Sequence, residues 1–197
     1  MLEKIFQFVS LTHKFAGIQR TVKLGEREVF ENDAEHSYQV AMVSWYLVEK
    51  FQLNLNKELI LKYALTHDLV EVYAGDTDVH RSSEEYRASK TERERRAWEQ
   101  ITSEYPDFSE LSQTITEYES KADDESKFVY LIDKILPVIN TYLSNHSYYK
   151  DSNVTFERWS EWVSDKEKSI ELKNPYLQDL LTELRAFLKQ HQKEVFA

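Results

Sequence analysis

Four ionisable residues lie on or beside helix faces that the sequence pattern makes apolar, namely His36, His67, Asp68 and Asp133. His36 is four residues before Val40, so the two side chains share one face of a helix. Asp133 comes four residues after Val129 and likewise shares a helix face with it. Imidazoles and carboxylates bind metal ions and transfer protons, so these residue types in apolar positions are the first candidates for a functional site.

The four residues fall on three predicted helices, and their burial needs a physical explanation. A lone histidine in such a position usually donates to a backbone carbonyl, but a buried carboxylate without a partner is strongly destabilising. If the three faces converge in a helical bundle, two imidazoles and two carboxylates share one interior region. A divalent cation would satisfy all four together, and this ligand set suits Mn, Co, Zn, Ni or Fe. The alternative is that the four groups pair with one another in a purely structural protein.

The elements that must position these residues are helices, because apolar residues recur at helical spacing along most of the chain. The predicted helices cover about 2–17, 33–51, 57–74, 82–105, 108–119, 123–145, 155–171 and 175–192. Asn32 and Glu35 form a capping-box pattern at the start of the second helix. A polar connection containing Gly25 is expected before it. With only 3 Gly and 3 Pro, the chain lacks the turn residues of a β-rich fold, and residues 1–197 are predicted to form a single all-α domain.

Composition excludes several classes of function. The chain has no Cys and 3 Gly, which excludes thiolate catalysis, cysteine zinc sites and Gly-rich phosphate loops. With 25 Lys+Arg against 35 Asp+Glu, the formal net charge is -10, so a nucleic acid polymer is not an expected partner. A small phosphorylated substrate is compatible with this charge, because one Arg can hold one phosphate. No apolar run is long enough to cross a bilayer and no signal peptide is evident, so we expect a cytoplasmic protein without membrane contact.

Three segments of the chain carry a family pattern, in the order ENDAEHS, LTHDLVEVYAGD and YLIDKI. They resemble the H…HD…D signature of the HD-domain metal-dependent phosphohydrolase superfamily. The fuller pattern resembles the 5′-deoxynucleotidase-like branch, whose members remove phosphate from deoxynucleoside 5′-monophosphates. The resemblance covers roughly residues 1 to 145. It implies an HD-type helical bundle with its core signature at about 30–140 and C-terminal helices at about 155–192 packed on it.

Carried over residue by residue, the resemblance implies a divalent metal ion bound by His36, His67, Asp68 and Asp133. It also implies that Glu71 and Asp76 belong to the catalytic apparatus and that Arg20 contacts the substrate phosphate. The implied reaction removes phosphate from (deoxy)nucleoside 5′-monophosphates by attack of a metal-bound water, and the implied assembly is a homodimer. The sequence departs from the branch at Thr21, where relatives often carry a Trp that helps to shape the sugar pocket.

Two other functions fit the same residues. An HD hydrolase could act on another phosphoester such as a (deoxy)nucleoside triphosphate. Any of Arg81, Arg87 or Lys134 reaching the pocket would favour that more highly charged substrate. A non-catalytic regulatory module could instead bind metal and nucleotide without turnover, although the presence of Glu71 and Asp76 favours an enzyme.

An aromatic strip near the C-terminus contains Trp159 and Trp162. Its helical spacing and the negative net charge favour packing in the core or in a dimer over a base-stacking surface. The histidines outside the candidate site are predicted to be surface or packing residues; they are His13, His80, His146 and His191.

Overall fold

The computed structural model of the chain describes residues 1–25, 29–171 and 173–197, most of which are helical. The helices are α1 (Leu2–Ala16), α2 (Asp33–Phe51), α3 (Lys57–Thr66), α4 (Glu71–Ala74), α5 (Glu84–Ala88), α6 (Lys90–Glu104), α7 (Ser109–Ser120), α8 (Asp124–Leu143), α9 (Tyr148–Asp151), α10 (Phe156–Ser169), α11 (Pro175–Gln190) and α12 (Gln192–Val195). The prediction of an all-α fold is confirmed, and a two-stranded sheet is its small exception.

That sheet is an antiparallel hairpin between α1 and α2, where the sequence predicts only a polar connection. Strand β1 (Gln19–Lys23) pairs with β2 (Phe30–Asn32), and Gln19 lies opposite Asn32. Strands of five and three residues are too short to show a clear alternation of apolar and polar side chains. The hairpin matters for function because β1 carries Arg20 and β2 carries Glu31 beside the start of α2.

The start of α2 follows the local sequence. The side chain of Asn32 accepts a hydrogen bond from the Glu35 amide at 3.0 Å, and the Glu35 carboxylate accepts one from the Asn32 amide at 3.1 Å. This is the predicted capping box, which satisfies two amides that have no partner within the helix. It holds the first turns of α2, and therefore His36, in a defined position.

The predicted helix over 57–74 is interrupted in the structure. Helix α3 ends at Thr66, and residues 67–70 form tight turns before α4 begins at Glu71. The Leu69 amide donates to the Thr66 carbonyl at 3.0 Å and the Glu71 amide to the Asp68 carbonyl at 2.9 Å, which are three-residue spacings. Apolar residues continue through this segment, so periodicity alone does not reveal the tightening. This turn carries His67 and Asp68.

The core is built around α8, which contacts α2, α3, α7, α10 and α12. Ile132 on α8 and Trp159 on α10 are fully buried in this larger cluster, together with Leu181 and Leu188 of α11. A second cluster joins α1, α4 and α6 through residues such as Leu11 and Ile101. The C-terminal helices thus pack on the same core that carries Asp133. No helix within the described ranges is both long and apolar enough to span a membrane.

Candidate metal centre and adjoining pocket

The four residues of the predicted metal site come from three separate parts of the fold. His36 lies near the start of α2, His67 and Asp68 lie in the turn after α3, and Asp133 lies in the middle of α8. One nitrogen or oxygen atom from each of the four lies within 4.8 Å of the corresponding atoms of the others. The structure therefore brings together the whole predicted ligand set.

The closest contacts within this cluster join each imidazole to a carboxylate. His36 Nε2 is 3.0 Å from Asp133 Oδ1, and His67 Nε2 is 3.1 Å from Asp68 Oδ2. His67 Nε2 is also 3.8 Å from Asp133 Oδ1. Both imidazoles thus turn Nε2 toward the same small region, where one oxygen of each aspartate also lies.

The opposite nitrogen of His67 fixes the tautomer of its ring. His67 Nδ1 lies 2.9 Å from the Ala64 carbonyl oxygen, an acceptor that can only receive a proton. The proton therefore belongs on Nδ1, which leaves the lone pair of Nε2 available as a metal ligand. Within the described part of the chain, this buried Nε2 has no hydrogen-bond partner. Two imidazole nitrogens, one of which has no hydrogen-bond partner among the described residues, and two carboxylates fit a divalent transition metal.

The two aspartates of the cluster are held in the ionised form. Burial by itself would raise the pKa of Asp68, but the Arg20 guanidinium, 2.8 Å from Asp68 Oδ2, helps to hold that pKa well below its usual range. Burial would likewise raise the pKa of Asp133, and Lys134 and His36 hold it well below. Both carboxylates are therefore anions at neutral pH, as metal ligation requires.

Arg20 of β1 lies among three acidic side chains. Its Nη1 is 2.8 Å from Asp68 Oδ2 and 3.2 Å from Asp33 Oδ1, and its Nε is 3.2 Å from Glu31 Oε1. Glu31 and Asp33 are fully buried and were not singled out by the sequence reasoning, although both stand inside the ENDAEHS segment. The predicted phosphate-contacting arginine thus also orients a member of the metal cluster.

Glu71 and Asp76 flank the cluster on the side of a pocket. Glu71 is 4% exposed, and its Oε2 has no hydrogen-bond partner in the ranges that the structure describes. Burial and then Asp68 raise the pKa of Glu71, and burial also raises the pKa of Asp76. Asp33 also lies close to these acidic side chains. Its burial and the charge of Asp68 raise the pKa of Asp33 to about 7.

Asp76 is positioned by a loop that Arg93 of α6 holds in place. Arg93 Nη2 donates to Thr77 Oγ1 at 2.7 Å, and Nη1 donates to the backbone carbonyl of Ala74. Its guanidinium also lies 3.8 Å from the centre of the Tyr86 ring. Arg93 stands in a stretch rich in Glu and Arg, and nothing in the charge pattern distinguishes it from its exposed neighbours. Arg93 is therefore a positioning residue that only the structure reveals.

The pocket beside the metal cluster has a volume of about 100 Å³. Acidic side chains line one part of it, and the lysines Lys90 and Lys134 line it as well. Of the three basic residues considered from the sequence, Lys134 reaches the pocket. Arg81 instead donates to Ser152 Oγ at 2.8 Å, and Arg87 donates to the Ser82 carbonyl.

The aromatic strip near the C-terminus is divided between two environments. Trp159 is fully buried in the core, as predicted, whereas Trp162 is half-buried and lines the pocket. His80, Tyr148 and Tyr149 also line it. Part of the C-terminal region, which the sequence resemblance did not reach, therefore contributes directly to the site.

Comparison with known proteins places this geometry in context. The family model for the HD domain matches residues 15–174. The chain is 30% identical over 133 residues to the protein 5′-deoxynucleotidase HDDC2 of Bos taurus, a match that spans 66% of this chain and 62% of the bovine protein. It is 26% identical over 144 residues to the Danio rerio protein of the same name, covering 72% of this chain and 70% of that protein.

Solved structures show the same fold. A predicted metal-dependent phosphohydrolase from Magnetospirillum magnetotacticum MS-1 matches with a TM-score of 0.80 and 25% identity, covering 100% of this chain and 96% of that one. The PH0347 protein from Pyrococcus horikoshii OT3 matches with a TM-score of 0.60 and 24% identity, covering 94% of this chain and 99% of that one. The second likeness is one of fold alone.

Proposed function

Because the chain belongs to the HD-domain family, we propose that it is a metal-dependent phosphomonoesterase that releases phosphate from (deoxy)nucleoside 5′-monophosphates. The observation that carries this proposal is the meeting of two imidazoles and two carboxylates at the edge of a pocket that also holds cationic side chains. The names of the bovine and zebrafish relatives and of the Magnetospirillum protein support the reaction class.

A divalent cation would be held by four side chains, those of His36, His67, Asp68 and Asp133. When bound, such a cation lowers the pKa of coordinated water and offsets negative charge on phosphoryl oxygens. Arg20 keeps Asp68 oriented toward the cluster. Lys134 does the same for Asp133, because its Nζ lies 2.6 Å from Asp133 Oδ2.

Glu71 acts as the general base. Its buried Oε2 faces no protein donor among the described residues, and its pKa is raised by burial and by Asp68. A carboxylate with a raised pKa accepts a proton more readily near neutral pH than an ordinary glutamate does. Glu71 Oε2 takes a proton from the attacking water as the water oxygen bonds to phosphorus.

Asp76 serves the leaving group. The bond between phosphorus and the 5′-oxygen breaks, and that oxygen needs a proton to leave as the nucleoside hydroxyl. Asp76 lines the same pocket and is the group that donates this proton to the 5′-oxygen, a role that the raised pKa of its buried carboxyl favours. The products are inorganic phosphate and a nucleoside, with the water proton on Glu71 and the Asp76 proton on the nucleoside.

Arg20 and the two lysines supply the positive charge that a phosphate needs. The Arg20 guanidinium carries five N–H groups, so it can hold its acidic neighbours and still donate to a phosphate oxygen. Lys90 and Lys134 line the same pocket. Lys134 is paired with Asp133 and Lys90 lies 3.3 Å from Glu94, so much of their charge is already balanced. Because little of the lysine charge is left for the substrate, a nucleoside monophosphate fits the pocket better than a triphosphate. The presence of Lys134 in the pocket keeps a nucleoside triphosphate as the second candidate.

A phosphate-release screen tests the proposal. The purified protein is stripped of metal, reloaded with Mn, Co, Zn, Ni or Fe, and offered nucleoside mono-, di- and triphosphates. We expect metal-dependent phosphate release from monophosphates and none from the Asp68→Asn variant. Release of triphosphate from a nucleoside triphosphate would favour the second candidate. Binding of nucleotide without any turnover would support a regulatory module instead. The homodimer and the cytoplasmic location stay predictions.

A further inference from the structure

Part of the pocket has a lining that the hydrolytic reaction does not use. Four ring-bearing residues lie there, and we call them the aromatic wall: His80, Tyr148, Tyr149 and Trp162. Phosphate chemistry at the acidic part of the pocket needs charge and proton transfer, which tyrosine and tryptophan rings do not provide. Packing in the core accounts for Tyr148 and Tyr149, which are 4% and 3% exposed, so the half-buried His80 and Trp162 are the members that need another explanation.

The rings of the aromatic wall are packed against one another through His80. The His80 ring centre lies 5.7 Å from that of Tyr149, 6.0 Å from that of Trp162 and 6.1 Å from that of Tyr148. These separations are typical of interacting aromatic pairs. The Tyr148 hydroxyl donates to Asp78 Oδ1 at 2.7 Å, which fixes the orientation of that ring. The wall is therefore preorganised.

Trp162 packs against the core and remains partly open at the pocket. Trp159 lies three residues earlier on α10 and is completely buried, whereas Trp162 is half-buried at the pocket. Lys166 Nζ lies 5.5 Å from the centre of the Trp162 ring, a cation–π contact that restrains the indole. The Trp162 ring is partly exposed to a pocket that acidic and cationic side chains also line. Such a pocket suits a ligand with one flat apolar part and one charged part.

We propose that Trp162, supported by His80, is the surface on which the nucleobase of the substrate stacks. The inference rests on the proposed function and adds a base-recognition site to it. A nucleoside monophosphate has a charged phosphate for the acidic and cationic part of the pocket and a flat base for the aromatic wall. Removing an aromatic ring from such a stack weakens binding about 5- to 150-fold, and the loss grows with the area of the base.

The test compares substrates with and without a base. Phosphate release is measured from 2′-deoxyadenosine 5′-monophosphate, 2′-deoxycytidine 5′-monophosphate and 2-deoxyribose 5-phosphate. The variants are Trp162→Leu, which keeps apolar bulk without a ring, and Trp162→Phe, which keeps a ring. Trp45→Ala is the control, because Trp45 is 47% exposed on α2 and does not line the pocket. Calorimetric titration with 2′-deoxyadenosine measures base binding without turnover.

For Trp162→Leu we expect KM to rise at least fivefold with the adenine nucleotide, less with the cytosine nucleotide, and not at all with the sugar phosphate. The kcat should stay within twofold, and the dissociation constant of 2′-deoxyadenosine should rise by a factor similar to KM. Trp162→Phe should restore most of the loss, and Trp45→Ala should match the wild type. Equal effects on all three substrates, or no effect on any, would overturn the assignment.

Failure of the proposed function gives a different result. If the wild type releases no phosphate from any of the three compounds, the hydrolase proposal is wrong and calorimetry alone decides the role of Trp162. Weaker binding of 2′-deoxyadenosine to Trp162→Leu than to the wild type would then support the stacking surface. Absence of binding to the wild type would overturn it.

Discussion

The ammonium group of Lys134 lies 2.6 Å from Asp133 Oδ2 and leaves Oδ1 of the same carboxylate facing the imidazole of His36 at 3.0 Å. One oxygen of the Asp133 carboxylate thus pairs with the neighbouring Lys134, and the other oxygen faces His36 in the candidate metal site. This contact fixes the rotation of the carboxylate and, after burial, is the largest influence on the pKa of Asp133. The lysine prepares the aspartate for ligation without belonging to the cluster.

Replacing Lys134 by Met should weaken metal binding while all four proposed ligands remain. Loss of the cation lets burial raise the pKa of Asp133 and frees its carboxylate to rotate. Changes to residues that orient metal ligands typically cost about 10- to 100-fold in affinity. Titration of the metal-free protein with Mn or Zn measures the change. An unaltered dissociation constant would contradict this role for Lys134.

Asp68→Asn should lose metal and activity together. The substitution removes the anionic oxygen that lies 3.1 Å from His67 Nε2 and 2.8 Å from Arg20 Nη1. Elemental analysis of the purified variant, with phosphate release measured on the same sample, checks both effects. Asp165→Asn serves as a control, because Asp165 is exposed, pairs with Lys168 and neither lines the pocket nor joins the four-residue cluster. A fully loaded and active Asp68→Asn protein would remove Asp68 from the ligand set.

Glu71→Gln should keep its metal and lose turnover. Glutamine has nearly the same shape but cannot accept the proton, and general base catalysis typically contributes about 100-fold or more to the rate. Folding should not suffer, because the change removes a buried carboxyl whose Oε2 has no partner in the described part of the protein. Metal content, kcat and the melting temperature are measured together. A kcat within a few-fold of the wild type would exclude Glu71 as the base.

Arg20→Ala should raise KM for phosphorylated substrates and also lower stability. The guanidinium is the cationic neighbour of Glu31, Asp33 and Asp68, so its removal leaves buried acids without compensation. Breaking a buried ion pair costs about 3–5 kcal/mol. Urea denaturation and steady-state kinetics separate the two effects. If neither KM nor the free energy of unfolding changed, both roles of Arg20 would be wrong.

Arg93→Met should reduce kcat/KM although Arg93 is not proposed to touch the substrate. The change removes hydrogen bonds to Thr77 and to the Ala74 carbonyl and so loosens the loop that carries Asp76. Two lost hydrogen bonds cost about 1–3 kcal/mol, and each kcal/mol lowers the melting temperature by about 2–4 °C in a chain of this size. Arg96→Met is the matched control, because Arg96 makes an exposed pair with Glu92. Equal behaviour of the two variants would show that Arg93 does not position the loop.

Features that depend on residues close in sequence were predictable. The capping box of Asn32 and Glu35 spans three residues, and the helix that it begins was predicted to within one residue of its observed start. The metal cluster was predictable for a related reason. Ionisable side chains on apolar helix faces must meet partners in the interior, since burial without compensation is strongly unfavourable. Residue type and helical period indicated that His36, His67, Asp68 and Asp133 could share one interior region, and the family resemblance implied that they bind one metal ion.

Features that depend on contacts between distant residues required the tertiary structure. The hairpin brings Arg20 to Asp68, and α10 brings Trp162 to the same pocket. Neither contact can be predicted from the spacing of apolar and polar residues in the sequence. In the sequence Arg93 does not differ from its exposed neighbours, and its hydrogen bond to the Ala74 carbonyl is visible only in the structure. The amino-acid sequence alone indicated most of the helices and the side chains that cannot remain alone in the core, because both follow from local propensity and from the cost of burial. The break between α3 and α4 was visible only in the structure. The packing of the helices decided which other residues share the pocket, because that depends on how the helices and the hairpin are arranged in space.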